Sequence, residues 1–375
     1  MKQSTKVTIT PGQLALFIIQ TQVGVGVLSM PYSVFDAGAK TDGWISIILA
    51  GVLVQVMVFV FMLLAKRFPT LNLYEILEGV FGKWLGKFFT FLHIIYFISV
   101  GILILILFSS ILDIWAFPNT PQSIKIGLAV LTATYLAKEN VRIIARFHVV
   151  VSILMVLIIA ITFTAFTHID VRYILPIGHT GVTNIVMSVK AAMLSLLGFE
   201  LFIILFSSTE GSLKQKVKAA TLANATVTFT YAYLAIVCYL FFSPEELAFV
   251  PEPILYLIKS FSFVVVERTD LIFISIWIVS VMTSFIGYLY IASLGVASLF
   301  NKSSHSPFVF IIAVLIFVFS VTPHNVLSIA TISGVIGNAG TIFSFFVPIF
   351  ILLVAITFKR KEQKNDQAKK RGVPS

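Results

Sequence analysis

Ten long apolar runs divide the chain, and short polar segments separate them. A hydrocarbon core of about 30 Å is crossed by a helix of about 20 apolar residues, so runs of this length predict membrane-spanning helices. The pattern therefore predicts an all-α integral membrane protein with about ten transmembrane helices, called spans 1 to 10 below. These spans are predicted at residues 13–35, 44–65, 88–112, 122–138, 145–166, 183–208, 218–242, 269–299, 306–322 and 335–358.

Two spans contain helix-weakening residues near their centres. Span 1 carries Gly24 and Gly26, and span 6 carries Gly198 followed by Glu200. An unsatisfied backbone group in hydrocarbon costs several kcal/mol, so a break at the membrane midplane is favoured where the freed groups bind something. Breaks at corresponding places in two halves of a chain predict a solute-binding site between inverted repeats.

The two breaks are expected to present opposite charges to a ligand. If the chain starts in the cytoplasm, the second half of span 1 begins near Gly24 to Gly26 and offers free N–H groups to a carboxylate. The first half of span 6 ends near Ser195 to Leu197, and its free carbonyls suit an ammonium group. Together they predict recognition of an α-amino acid. The alternative is that these glycines only permit close packing of helices.

The candidate ligand-binding residues follow from this argument. Those at the breaks are Gln22, Val23, Gly24, Val25, Gly26, Ser195, Leu197, Gly198, Phe199 and Glu200. Polar residues at similar depth in spans 3 and 8 are Tyr96, Ser99, Thr283, Ser284 and Tyr288. Thr283 and Ser284 are also candidates for a sodium site with span 1 carbonyls. Each hydroxyl has a plainer alternative role in helix packing.

Glu200 is the only carboxylate placed well within a span. A charged residue at the bilayer centre costs about 2.5–3.5 kcal/mol on insertion scales, so its presence indicates a function. Three roles are open: holding the break open by accepting backbone N–H bonds, contacting the ligand, or carrying a proton.

Composition and charge agree with a membrane protein. Only 11% of residues are charged, against about 25% in soluble domains, and the mean hydropathy is +1.02. The net charge of +10 arises from loop bias, so nucleic acid is not an expected partner. With both termini in the cytoplasm, 20 of the 26 Lys and Arg lie inside and five outside. The six histidines show no metal-ligand spacing, and no metal or cofactor is expected.

The predicted organisation is a single transmembrane domain with polar ends. Residues 1–12 form a cytoplasmic N-terminus without a cleavable signal peptide, and residues 359–375 form a basic cytoplasmic tail. The repeats are expected at about 13–166 and 183–358, within a domain at 13–358. Apolar residues at helical spacing between spans 2 and 3 predict an amphipathic helix on the inner leaflet, and residues 251–266 predict a surface helix on the outer face.

Several stretches resemble a known family. Residues 22–31 read QVGVGVLSMP, residues 198–200 read GFE, and residues 267–277 read ERTDLIFISIW. With the loop at residues 67–87, they are similar to the B subunits of spore germinant receptors, the spore germination permeases. These belong to the amino acid–polyamine–organocation superfamily, so the resemblance implies a LeuT-like 5+5 inverted repeat.

The resemblance also implies a function. Such B subunits lie in the spore inner membrane beside an A subunit and a C-subunit lipoprotein, recognise a small nutrient such as an amino acid, and trigger germination. They are not enzymes. The alternative is a stand-alone sodium- or proton-coupled amino-acid permease of the bacterial cell membrane. Some proton-coupled relatives use a lysine in helix 5, where this chain offers only Arg146 and His148 near the cytoplasmic start. A third possibility is a structural or ion-conducting subunit with a vestigial pocket.

Overall fold

The computed structural model describes residues 7–261, 268–322 and 325–362, and the regular secondary structure of this part is helical apart from one isolated β-bridge. The α-helices are α1 (Pro11–Gln22), α2 (Gly26–Val34), α3 (Gly43–Arg67), α4 (Leu73–Phe81), α5 (Lys83–Trp115), α6 (Gln122–Ala137), α7 (Val141–Thr162), α8 (Gly181–Ser195), α9 (Leu201–Leu205), α10 (Leu213–Phe241), α11 (Pro244–Leu247), α12 (Pro253–Lys259), α13 (Thr269–Leu299), α14 (Ser306–Val321), α15 (Val326–Gly340) and α16 (Val347–Thr357). The predicted all-α class is confirmed.

Each predicted span coincides with one helix or with an interrupted pair. Span 1 is α1 plus α2, and span 6 is α8 plus α9. Span 10 begins nine residues earlier than predicted and joins α15 to α16 through a π-helical segment, Thr341–Phe346. Six helical segments of the described chain are long and apolar enough to cross a membrane: Gly26–Arg67, Lys83–Trp115, Val141–Thr167, Leu213–Phe241, Thr269–Leu299 and Leu327–Thr357. The total of ten crossings stays a prediction.

The broken helices lie at the centre of the bundle. Helix α1 packs on α7, α10 and α13, and α2 packs on α8 and α10. Two tyrosines of α10 satisfy backbone carbonyls of span 1: Tyr231 donates to Gln22 O at 2.9 Å, and Tyr239 donates to Pro31 O at 2.8 Å. Because these carbonyls lie in the protein interior, the phenols replace partners that water cannot supply.

The isolated bridge links the segment before α1 to the segment after α9. The Ile9 amide donates to Ser208 O at 2.9 Å, and the Glu210 amide donates to Ile9 O at 2.8 Å. These two hydrogen bonds hold the segment before α1 against the segment after α9, at the end of α1 that is remote from its break.

Helix α4 is the amphipathic helix predicted between spans 2 and 3. The Asn72 side chain caps its start by accepting from the Glu75 amide, and the Glu75 carboxylate accepts from the Asn72 amide. Its apolar face is buried in the protein, where Tyr74 donates to Ile291 O at 2.6 Å. That face therefore packs on the bundle, and the prediction that it lies on lipid was wrong. Helix α12 forms the first part of the predicted outer surface helix. The rest of that prediction, from residue 262, lies outside the described residues, and so does the tail from residue 363.

Asp42 fastens the turn before α3 to the loop before α8. Its fully buried carboxylate accepts hydrogen bonds from the Gly178 amide at 2.7 Å, the Thr180 amide at 3.1 Å and Thr180 Oγ1 at 2.8 Å. His179 Nδ1 lies 3.2 Å from the same carboxylate. Gly178 lies only three residues before the start of α8. This junction therefore fixes where the broken span 6 enters the bundle.

We expect Asp42→Ala to lower the free energy of unfolding by about 1–2 kcal/mol, because the partly exposed amides of Gly178 and Thr180 lose their charged acceptor. Thermal unfolding of the purified chain in detergent measures this. Asp170→Ala is the matched control, since Asp170 pairs with the exposed Arg172 in solvent and water screens that pair. Equal losses in the two variants would contradict a special role for Asp42.

Candidate ligand site

The first break comprises three residues, Val23 to Val25, between α1 and α2. Val23 leaves the helical region with φ −84° and ψ 79°, and α2 begins at Gly26 without a side-chain cap. A Cβ on Gly24 would lie 2.8 Å from Ser284 Oγ, and one on Gly26 would lie 2.8 Å from Ser195 Oγ. Glycine therefore permits the close approach of α13 and α8 as well as exposing the backbone, so both readings of these residues have a structural basis.

The second break covers residues 196–200, between α8 and α9. Gly198 has φ +117°, a conformation that L side chains rarely adopt. A Cβ there would lie 3.1 Å from both the Gln22 amide nitrogen and the Thr21 carbonyl carbon. The two breaks predicted from the sequence thus meet in direct contact.

The side chain of Gln22 joins the two breaks. Gln22 Nε2 donates to Leu196 O at 2.7 Å, so one carbonyl expected to receive an ammonium group is already occupied. Gln22 Oε1 is buried, and no hydrogen-bond partner for it is present among the described residues. A buried acceptor without a partner is costly, and this oxygen belongs to a residue that lines the adjoining cavity.

A cavity of about 310 Å³ opens beside the breaks. Seven of the predicted residues line it: Gln22, Gly24, Val25, Gly26, Ser195, Leu197 and Ser284. Tyr288, a further candidate of span 8, lines it as well. The lining continues along α2 to Ser33 and along α5 to Leu107, so the cavity extends from the breaks towards the far ends of these helices. No Asp, Glu, Lys or Arg is among the described residues that line it.

Several further residues, which the sequence pattern did not single out, line the cavity. Ser29 and Ser33 stand four apart on α2, and this helical spacing after the break was a usable indication. Ser333 lies on the part of α15 that precedes the predicted start of span 10. The other missed residues are Thr21, Val100, Leu103, Ile104, Leu107, Ala191, Leu194 and Ile336. Most of these are apolar, and nothing in the sequence separates an apolar cavity wall from an apolar core.

The remaining predicted residues lie outside the cavity wall and contact other parts of the bundle. Val23, Tyr96, Gly198, Phe199, Glu200 and Thr283 do not appear in the cavity wall. The Phe199 ring packs against Phe345, with centroids 5.3 Å apart. The Tyr96 hydroxyl lies 3.2 Å from Ser344 Oγ. Ser99 donates to Ile95 O of its own helix and does not line the cavity.

Glu200 stabilises the backbone of the second break through hydrogen bonds. Its Oε2 accepts a hydrogen bond from the Gly198 amide at 2.8 Å, and its Oε1 accepts one from the Tyr288 hydroxyl at 3.0 Å. Of the three roles left open, holding the break by a backbone N–H bond has the contact that it requires. Tyr288 connects the carboxylate to the cavity, because the tyrosine lines the cavity and Glu200 lies behind it.

The candidate sodium residues bond directly to α1. Ser284 Oγ donates to Thr21 O at 2.7 Å, and Thr283 Oγ1 lies 2.7 Å from Ser280 O and 3.1 Å from Gln20 Oε1. His148 of α7, expected near the cytoplasmic start of span 5, is fully buried with Nε2 3.2 Å from Thr283 O. It therefore belongs to the junction of α1, α7 and α13. The described residues contain no group of three or more His, Cys, Asp or Glu suited to a metal ion.

Comparison with known proteins identifies the family of this chain. The model of the family described as "Spore germination protein" matches residues 8–329. Spore germination protein YndE of Bacillus subtilis (strain 168) is 27% identical over 95% of this chain and 98% of its own length. Spore germination protein GerQB of Bacillus cereus is 26% identical over 72% of this chain and 74% of its own length. The resemblance inferred from the motifs is confirmed.

A solved structure shows the same fold. Mhp1, a nucleobase-cation-symport-1 family transporter in a closed conformation with bromovinylhydantoin bound, superimposes with a TM-score of 0.58 and 14% identity. The match covers 90% of this chain and 77% of that structure. The predicted LeuT-like fold is confirmed by this likeness, and the chain is a membrane protein with a transporter fold.

We expect Glu200→Gln to keep the melting temperature within a few degrees, because the amide oxygen still accepts from the Gly198 amide and its NH₂ still reaches the Tyr288 oxygen. Glu200→Ala leaves the buried Gly198 amide unpaired, which costs about 1–3 kcal/mol. Thermal unfolding and ligand response are measured for both variants. A Gln variant that melts like the wild type yet loses the response would show that the carboxyl group is required for its charge or its proton, and not only for its shape.

Proposed function

We propose that this chain, which belongs to the spore germination protein family, is the permease-like B subunit of a nutrient germinant receptor. It binds an amino acid or a similar small nutrient in the cavity between the two breaks, and binding triggers spore germination. The observation that carries this proposal is the cavity itself, since residues of both breaks line it together. A permease family and a transporter fold favour a binding role over catalysis.

The cavity wall has chemistry suited to a zwitterion. Gly24, Val25 and Gly26 place the uncapped start of α2 at its edge, where N–H groups and the positive end of the helix dipole attract a carboxylate. Ser195 ends α8 on the same wall, at the negative end of that helix dipole, which attracts an ammonium group. Gln22 Oε1, for which the described part of the chain supplies no partner, is a further acceptor at this edge.

The direction of the cavity suits detection of an external nutrient. Its lining leads from the breaks towards Ser33 and Leu107. In the topology predicted from the positive-inside bias, both positions lie on the outer side of the membrane. The ligand would therefore reach the breaks from outside, and the A and C subunits of the receptor are the proposed partners for the response.

We expect purified chain in nanodiscs to be stabilised by at least one of the twenty amino acids, sugars or nucleosides in a thermal-shift screen, and Gly26→Ala to abolish that shift. The added Cβ would lie 2.8 Å from Ser195 Oγ and displace the wall of the site. Gly334→Ala is the matched control, because its Cβ would meet nothing within 4 Å. A shift that survives Gly26→Ala would place the ligand elsewhere.

We expect the isolated chain in liposomes to bind the identified ligand without accumulating it, since the receptor role requires recognition alone. Uptake of radiolabelled ligand is measured with and without sodium and proton gradients, against empty liposomes. Ion-dependent accumulation would contradict a purely sensory role and support the stand-alone permease.

A further inference from the structure

A second and larger cavity lies outside the candidate ligand site, between α6 and α14. It has a volume of about 550 Å³ and is called the α6–α14 trough here. Each helix lines it with residues at the helical spacing 0, 3, 4, 7, 8 and 11, so one continuous face of each helix forms a wall. The residues of α6 and its C-cap are Gly127, Val130, Leu131, Thr134, Tyr135 and Lys138, and the α14 residues are Ser306, Val309, Phe310, Ala313, Val314 and Phe317.

The trough is long, narrow and open to the membrane. Eleven residues of α-helix span about 16 Å, which sets its length. Buried Val309 and Ala313 form its floor, and the exposed side chains of Leu131 and Phe310 form its rims. At one end, Gly127 stands against Phe317: a Cβ on this glycine would lie 3.6 Å from Phe317 Cε2.

The opposite end of the trough is polar and positively charged. Lys138 lies there with its Nζ 4.6 Å from the centre of the Tyr135 ring, and no ion pair among the described residues includes it. Ser306 starts α14 at the same end, and its N-cap residue, His305, makes no side-chain capping bond. His305 instead contacts Ala137 O at 3.0 Å, which holds the start of α14 against the end of α6.

We propose that the α6–α14 trough is a binding site for an anionic phospholipid. One of its acyl chains lies between the two helices, and its phosphate contacts Lys138 and the start of α14. The polarity of the trough favours this occupant, because a positive end joined to an apolar length complements an amphiphile with a negative head. The positive-inside bias places Lys138 at the cytoplasmic face, where anionic lipids attract basic residues by about 1 kcal/mol each.

The test titrates the purified full chain in detergent with dioleoyl phosphatidylglycerol or dioleoyl phosphatidylcholine, and native mass spectrometry counts the bound lipids. We expect the wild type to prefer phosphatidylglycerol, and Lys138→Gln to weaken binding of that lipid about fivefold. Phosphatidylcholine should lose less, because its choline group already neutralises the charge of its phosphate. Lys66→Gln is the matched control: Lys66 is also exposed and lies in the last turn of α3, outside the trough. We expect no change for it.

A second variant tests the apolar part of the site. Gly127→Leu should weaken both lipids, because its side chain fills the trough beside Phe317, and the 3.6 Å contact leaves room for the Cβ itself. An unchanged melting temperature shows that the variant is folded. Equal affinity of the wild type for the two lipids, an equal loss in Lys66→Gln, or full lipid binding by Gly127→Leu would overturn the proposal. Failure of both lipids to bind would also overturn it, and would favour a transmembrane helix of a partner as the occupant.

Discussion

The requirement that a membrane-embedded backbone satisfy its own polar groups governs this molecule. Each break in a helix releases N–H and C=O groups that water does not reach. Side chains of the neighbouring helices supply the missing partners: Gln22 reaches Leu196 O, Tyr231 reaches Gln22 O, and Glu200 reaches the Gly198 amide. The breaks are therefore stable because they lie against each other and against α10 and α13. The cavity lies beside this network, at the place where Gln22 Oε1 has no hydrogen-bond partner among the described residues.

In the candidate site, the residue that holds the backbone of the break is therefore not one of those that line the cavity. The buried carboxylate, Glu200, stays behind the wall and fixes backbone geometry. The wall itself carries hydroxyls, backbone groups and apolar side chains. In a low-dielectric site, fixed dipoles interact strongly with a charged ligand without the desolvation cost of burying an opposing side-chain charge. Such a wall suits a ligand whose own charges balance.

Much of this arrangement follows from the sequence, because hydrophobic length and helix breakers are local properties. The breaks at Gly24–Gly26 and Gly198–Glu200 were placed correctly, and so was the amphipathic helix α4. The residues that these elements contact were not predicted, since they depend on tertiary structure. Helix α4 packs on protein through Tyr74, and His148 reaches Thr283 across 135 residues of sequence. Likewise, Val100 and Leu103 belong to the cavity only because α5 passes beside it; an apolar run does not reveal which of its faces meets a void.

The bridge between Ile9 and the segment after α9 has a mechanical consequence. Two backbone hydrogen bonds join the segment before α1 to the segment after α9, and Gln22 joins the two breaks at the other end of α1. Helix α1 is thus held at its start to the segment after α9, and at its other end to Leu196, the residue that caps the end of α8. A movement that opens a path to the breaks from the Ile9 side must therefore break one of these two links or carry α1 and both halves of span 6 together.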